Sequence, residues 1–174
     1  MVAAVDVLRT LWHRSGDRLE LRLRGLTDAE FHWAPVDGAW SVEPDPGAPS
    51  GWTYDYEFPT PSPAPVTTVA WRLVHLVADN EIYWEHAFGP GRRNFPDLLV
   101  PGTADEAVRT WQDSRAPITA WLDRATDEDL DEPRPSHLGA PRAAGEVVGV
   151  LLDEQTHHGA EIALLRDLHR WTVR

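Results

Sequence analysis

The sequence predicts an all-α fold, a four-helix bundle in a single domain that spans residues 1–174. Four segments repeat apolar residues at spacings of three and four, which is the period of an α-helix. No segment shows the convincing alternation of a β-strand, and no internal repeat is present. A length of 174 residues suits one domain with a sizeable core. Helices with one apolar face bury those faces against each other, which gives the bundle.

The first helix is predicted over about Val2–Gly25, where apolar side chains follow the helical period. Gly25 is typical of a helix end, because glycine is common just after the last helical residue. Thr27 and Glu30 then have the spacing of a capping box, in which each side chain bonds the backbone of the other residue. This pattern predicts a short helical turn after the first helix.

Residues 34–65 have a different composition, because they contain eight of the fifteen prolines. Proline at this density prevents long helices and interior strands. The segment also contains five aromatic residues, whereas a disordered linker would be poor in them. We therefore expect an ordered loop that packs on the helices, forms a long crossover between helices one and two, and lets them run parallel. Long ordered loops are often lids or binding loops.

The second long helix begins at Thr67 or Thr68, both typical N-cap residues, and ends near Gly89. The third begins at Thr103, which opens another capping-box pattern, and continues to about residue 122. Pro117 lies inside it, and proline removes a backbone donor from a helix. We therefore expect a kink or an offset start at Pro117.

The remainder of the chain is predicted as a turn, a connection and one more helix. The acidic run 126–132 is typical of a turn, and 133–141 is a second proline-rich connection. The last long helix spans about Ala143–Trp171, with an apolar face at helical spacing. This helix completes the set of four.

The charge of the chain argues against two classes of partner. The formal net charge is −12, and every basic residue is an arginine. A dominant basic face is not expected at this balance, so we predict neither a nucleic-acid partner nor an anionic membrane. Asp6 interrupts the position where a signal peptide needs an apolar run, and no stretch approaches about 20 apolar residues. A cytoplasmic location is therefore expected.

The chain contains no cysteine, which excludes disulfides, thiolate metal ligands and a cysteine nucleophile of its own. Its nine tryptophans bear on assembly. Trp12, Trp111 and Trp121 would form an apolar dimer face if they were exposed, or would belong to the core if they were not. A homodimer and a small-molecule substrate are the partners that we expect.

Three residues form a candidate metal site. Glu154 and His158 are four residues apart on the last helix, so both project from one face. His75 lies in the middle of the second long helix among apolar residues, where its nitrogens need a hydrogen-bond partner or a metal. Two histidines and one carboxylate leave an open coordination position, as in catalytic zinc sites. Nickel, iron(II) and manganese accept the same ligands.

Structural interpretations of these residues remain open. A Glu/His pair at this spacing is often a solvated salt bridge, and a lone buried histidine is often satisfied by a hydrogen bond. Asp79 and Glu161 are candidates for orienting a ligand, or are surface acids. His157 is rotated by about 100° from its neighbour, so it is read as a supporting or interface residue.

Three motifs occur in the chain in this order: Trp33-Ala-Pro with Ala39-Trp40-Ser41-Val42, then Thr68-Val-Ala-Trp71-Arg-Leu-Val-His75-Leu, and then Thr156-His157-His158-Gly-Ala-Glu161-Ile. Together they resemble the DinB/YfiT-like superfamily of metal-binding four-helix proteins over nearly the whole chain. The resemblance implies a metal triad with His75 as first ligand and His158 as third. Glu154 stands where the family more often has a histidine, and it resembles the His, Glu, His zinc triad of mycothiol-dependent maleylpyruvate isomerases.

The resemblance also implies a function. Related proteins are regarded as transferases or isomerases that use a low-molecular-weight thiol such as mycothiol, so a divalent metal and such a thiol are the expected cofactors. The lack of cysteine fits a reactive sulfur that is supplied from outside. Two alternatives stay open: a metal-dependent hydrolase, in which the metal activates water, and a non-catalytic, stress-related binding module whose polar cluster is structural. No catalytic residue is assigned.

Overall fold

The computed structural model describes residues 2–137 and 139–173; Met1, Leu138 and Arg174 lie outside the described part of the predicted domain. The structure is mostly helical, as expected. Its elements are α1 (Ala4–Leu23), α2 (Asp28–Phe31), β1 (Val42–Pro44), β2 (Trp52–Tyr54), α3 (Val69–Phe88), a 3-10 turn (Phe95–Asp97), α4 (Ala104–Leu122), α5 (Asp127–Leu130), β3 (Pro133–Ser136), β4 (Gly139–Ala143) and α6 (Ala144–Thr172).

The four long helices are α1, α3, α4 and α6, and they pack in pairs. α3 contacts both α4 and α6, and α1 contacts the same two helices. The tryptophans at 12, 111 and 121 are all buried in the core between the helices. The idea that they form an exposed dimer face is therefore wrong, and they fill the core instead.

The capping residues act where the sequence predicts them. The Thr27 hydroxyl accepts the Glu30 amide at 3.2 Å, and the Glu30 carboxylate accepts the Thr27 amide at 3.2 Å. Thr68, not Thr67, caps α3 by accepting the Trp71 amide. α4 begins at Ala104 and runs through Pro117 without interruption, so the expected offset start is absent from this helix.

Two short hairpins correct the purely helical prediction. β1 pairs with β2, and β3 pairs with β4, both antiparallel. The strands were missed because prolines lie in or beside them, as at Pro44, Pro133 and Pro135. Proline cannot donate to a ladder, yet a two-stranded sheet consists only of edges, where a missing amide is tolerated. A strand of three to five residues is also too short for its alternation to be recognised.

The proline-rich 34–65 segment is ordered and packs on the helices. Besides β1 and β2, it forms a bridge between Trp40 and Thr67 just before α3. The Trp71 indole donates a hydrogen bond of 2.7 Å to the carbonyl oxygen of Asp55. The segment is therefore fixed to the first turn of α3 by backbone and side-chain contacts.

A buried ion pair joins α6 to α2, beside the end of α1. Arg166 is 2% exposed, and its guanidinium donates to the carboxylate of Glu30 at 3.0–3.2 Å. The same guanidinium donates to the carbonyl oxygens of Arg22, Arg24 and Gly25. The pair thereby satisfies carbonyls that α1 leaves without a partner at its C-terminus.

No helix among the described residues is long and apolar enough to cross a membrane.

Replacing Arg166 with methionine is expected to lower the free energy of unfolding by about 3–5 kcal/mol, because it leaves the buried Glu30 carboxylate without its partner. Arg170→Met is the matched control, since Arg170 approaches the same carboxylate at 3.8 Å from a side chain that is 55% exposed. The control should cost less than about 1 kcal/mol. Urea unfolding of both variants measures the difference, and equal losses would contradict the role given to the buried pair.

Candidate metal centre

The structure brings His75, Glu154 and His158 together between α3 and α6. Glu154 Oε2 lies 2.9 Å from His158 Nε2 and 3.4 Å from His75 Nε2. One ligand atom from each of the three residues lies within 4.8 Å of the others. The two imidazole rings meet edge to face, with their centroids 4.8 Å apart. Both imidazoles therefore direct a nitrogen at one carboxylate oxygen.

These distances suit a metal ion. Zinc binds nitrogen and oxygen at about 2.0–2.2 Å, so two ligand atoms of a tetrahedral site lie roughly 3.3 Å apart. The two distances to Glu154 Oε2 are close to this value. The donor set of two imidazoles and one carboxylate is also that of a catalytic zinc site with an open position. The residues present thus fit a zinc-sized divalent ion.

Glu161 lies behind His158, on the far side of the ring from Glu154. The Glu161 carboxylate is 2.6 Å from His158 Nδ1, three residues earlier on α6. A carboxylate in this position accepts the Nδ1 proton and leaves Nε2 free to bind a metal. His157 is 63% exposed and contacts the second oxygen of Glu161 at 3.3 Å. It therefore touches the cluster only at its solvent edge.

Arg72 lies on the same side of the His158 ring as Glu161. Its Nη1 is 3.1 Å from His158 Nδ1, and its Nε is 3.0 Å from Glu161 Oε2. His157, His158 and Glu161 form a second set of closely spaced potential ligands. The guanidinium already supplies a positive charge there, and like charges at this range repel. The second set is consequently a poor place for another cation.

Asp79 is not a surface acid. Its side chain is 5% exposed, and its Oδ2 is 3.2 Å from His75 Nε2, the nitrogen that also faces Glu154. Asp79 therefore lies beside the three candidate ligands, whereas an orienting partner would contact the other ring nitrogen. Burial raises the pKa of Asp79 to about 6, although His75 acts in the opposite direction.

The cluster shifts the pKa values of its other members as well. Hydrogen bonds from His158 and His75 hold the pKa of Glu154 well below its usual range. Burial alone would lower the pKa of His75, but the contacts with Glu154 and Asp79 outweigh it and raise that pKa. In the absence of metal, the cluster therefore stabilises an ionised carboxylate beside a readily protonated imidazole.

Trp71 holds the His75 ring in place. The two rings stack with their centroids 4.9 Å apart and their planes 13° from parallel. Trp71 is itself bonded to Asp55 in the 34–65 segment. A pocket of about 160 Å³ lies between this segment and α3, and His75 and Arg72 are part of its wall. The loop predicted from composition thus borders the candidate site.

Sequence reasoning did not single out Arg72 and Trp71 as site residues. The signal was present, because they precede His75 by three and four residues and so share its helical face. The contact between Arg72 and His158 depends on the packing of α3 against α6, which no spacing within one helix reveals.

The chain was compared with known proteins. The sequence profile of the DinB superfamily matches residues 11–162. Among curated protein sequences, none matches the chain. The fold is similar to the crystal structure of a DinB-like protein from Bacillus cereus ATCC 10987, with 16% identity, a TM-score of 0.62, and coverage of 95% of this chain and 92% of the other. It is also similar to a conserved protein from Enterococcus faecalis, with 14% identity, a TM-score of 0.56, and coverage of 97% and 98%.

In metal-free protein, Glu154→Gln is expected to lower the pKa of His75, because a neutral amide no longer stabilises the imidazolium. A pH titration of the His75 ring signals by NMR measures the change. Glu161→Gln is the control, since the Glu161 carboxylate contacts His157 and His158. A His75 pKa that stays the same in Glu154→Gln, or that falls equally in both variants, would show that the 3.4 Å contact does not carry the effect.

Proposed function

This chain belongs to the DinB superfamily, and we propose that it binds one divalent metal ion through His75, Glu154 and His158 and uses it in a thiol-dependent transfer or isomerisation of a small molecule. The proposal takes α1, α3, α4 and α6 as a four-helix bundle, with the 34–65 segment as the connection between α1 and α3. The observation that carries it is the convergence of two imidazole nitrogens on one carboxylate oxygen between α3 and α6.

Zinc is the first choice of ion, because it is bound by two histidines and a carboxylate in catalytic sites and accepts a fourth, external ligand. Nickel, iron(II) and manganese would accept the same donors. When bound, such an ion supplies a positive charge that deprotonates a coordinated thiol at neutral pH. Since the chain has no cysteine, this thiol must come from a small molecule such as mycothiol.

The residues around the ligands have defined tasks in this proposal. Glu161 holds the proton on His158 Nδ1, so that Nε2 presents its lone pair. Trp71 fixes the plane of His75 by stacking. The 34–65 segment forms the opposite wall of the pocket beside His75.

Metal analysis of protein purified without a histidine tag is expected to give about one divalent ion per chain. The double variant His75→Ala/His158→Ala should lose it, because one carboxylate alone does not hold the ion. His157→Ala is the matched control and should keep it, since His157 touches the cluster only at its edge. Chelation should also lower the melting temperature of the unmodified chain, because a bound ion stabilises the native state.

Near-full occupancy in the double variant would refute the ligand assignment. Unchanged thermal stability after exhaustive chelation would instead favour the non-catalytic module, in which the polar cluster is structural.

Mycothiol added to cobalt(II)-substituted protein is expected to produce a thiolate-to-cobalt charge-transfer absorption, because the open coordination position takes the external sulfur. S-Methylmycothiol, a thioether that cannot ionise to a thiolate, is the control and should produce none. Cobalt(II) that binds stoichiometrically but shows no such absorption with mycothiol would exclude a bound thiolate. Activated water, and with it the hydrolase alternative, would then be the better interpretation of the site.

A further inference from the structure

A small pocket lies beside His75, between the 34–65 segment and the N-terminal half of α3. Its volume is about 160 Å³, which is close to the roughly 150 Å³ of an engineered cavity that admits benzene. The side chains of Trp40, Tyr56, Trp71, Arg72 and His75 contribute to its wall. The pocket therefore has room for one ring-sized group next to a proposed metal ligand.

The aromatic part of this wall is held in a fixed arrangement. Trp40 and Trp71 have ring centroids 5.8 Å apart, and Trp71 stacks on His75. The hydrogen bond from Trp71 to Asp55 ties the same ring to the covering segment. Aromatic side chains contact planar rings favourably by offset stacking or edge-to-face packing. The wall thus favours a planar aromatic group over a flexible chain of similar volume.

Arg72 gives the pocket a directional polar group. Its Nη1 and Nε face His158 and Glu161, whereas no described residue bonds its Nη2. A guanidinium edge with unused N–H donors recognises a carboxylate through charge-assisted hydrogen bonds. Glu57 is exposed in the wall, so its charge is solvated. The carboxylates of Glu154 and Glu161 lie close to Arg72 and oppose a further anion until a divalent ion offsets their charge. With such an ion bound, Arg72 favours an anionic group.

We propose that this pocket binds an aromatic carboxylate, with its ring among the aromatic side chains and its carboxylate toward Arg72. The inference deepens the proposed function by naming a class of substrate, and it rests on that function because the carboxylate needs a bound divalent ion to offset the neighbouring acidic side chains. Binding of the ring requires no metal.

The test uses benzoate as the probe, titrated by calorimetry into metal-free and zinc-loaded full-length protein. Benzyl alcohol has the ring without the charge, and acetate has the charge without the ring. We expect benzoate to bind zinc-loaded protein at least about tenfold more tightly than either, because a charge-assisted hydrogen bond contributes about that factor or more. Metal-free protein should bind benzoate more weakly, since the neighbouring carboxylates are then not offset. Benzoate that binds zinc-loaded protein no more tightly than acetate or benzyl alcohol would overturn the inference.

Three variants test whether benzoate binds in this pocket. Ala64→Phe fills the pocket from an exposed position in its wall and should abolish benzoate binding, whereas Ala29→Phe adds the same ring at an exposed site on α2 and should leave it unchanged. Arg72→Gln should remove the preference for benzoate over benzyl alcohol. Benzoate binding that survives Ala64→Phe would overturn the inference.

Zinc content is measured on the same samples, which separates the two hypotheses. Protein that holds zinc but does not bind benzoate overturns the pocket assignment and leaves the metal centre standing. Protein that takes up no divalent ion overturns the metal centre, and benzyl alcohol binding that is lost in Ala64→Phe would then still support the ring-binding pocket.

Discussion

Ionisable groups buried between α3 and α6 must find partners, because each one left alone costs about 1–3 kcal/mol. His75 contacts Asp79 within α3, and Glu154 contacts His158 within α6. The 3.4 Å contact between His75 and Glu154 joins the two pairs across the helix interface. Packing the two helices in another register would break this joining contact. The polar cluster therefore favours one register of α3 against α6, while the apolar core supplies most of the burial.

Contacts outside the interface between α3 and α6 hold these two helices in place. Trp40 and Asp55 of the 34–65 segment contact Trp71 in the first turn of α3, and Trp71 links that segment to His75. On the other side, Arg166 ties α6 to α2 through Glu30 and to the end of α1 through backbone carbonyl oxygens. The two contacts have a similar effect, since one holds α3 and the other holds α6 against a neighbouring part of the chain. The helices supply the candidate ligands, and the loop supplies a wall beside them.

Periodicity and capping residues were sufficient to predict the four long helices, and the spacing of Glu154 and His158 was sufficient to place both on one face. The hairpins were not predictable, because strands this short with prolines in them carry no alternation. The burial of Asp79 was not predictable either, since its spacing of four residues from His75 is the same on a buried and on an exposed helix face. The role of Arg72 was not predictable from spacing within one helix, because the residues it contacts lie on α6.

The charges of the cluster explain why one divalent ion suits it. With neutral imidazoles, the carboxylates of Asp79, Glu154 and Glu161 face a single guanidinium, that of Arg72, which leaves two net negative charges in a partly buried place. Without an ion, the cluster reduces this excess by protonating an imidazole, which agrees with the raised pKa of His75. One divalent ion offsets the same charge without a proton. A second ion would reverse the excess and would lie against Arg72, so the arrangement favours a single metal with an open position for an external ligand.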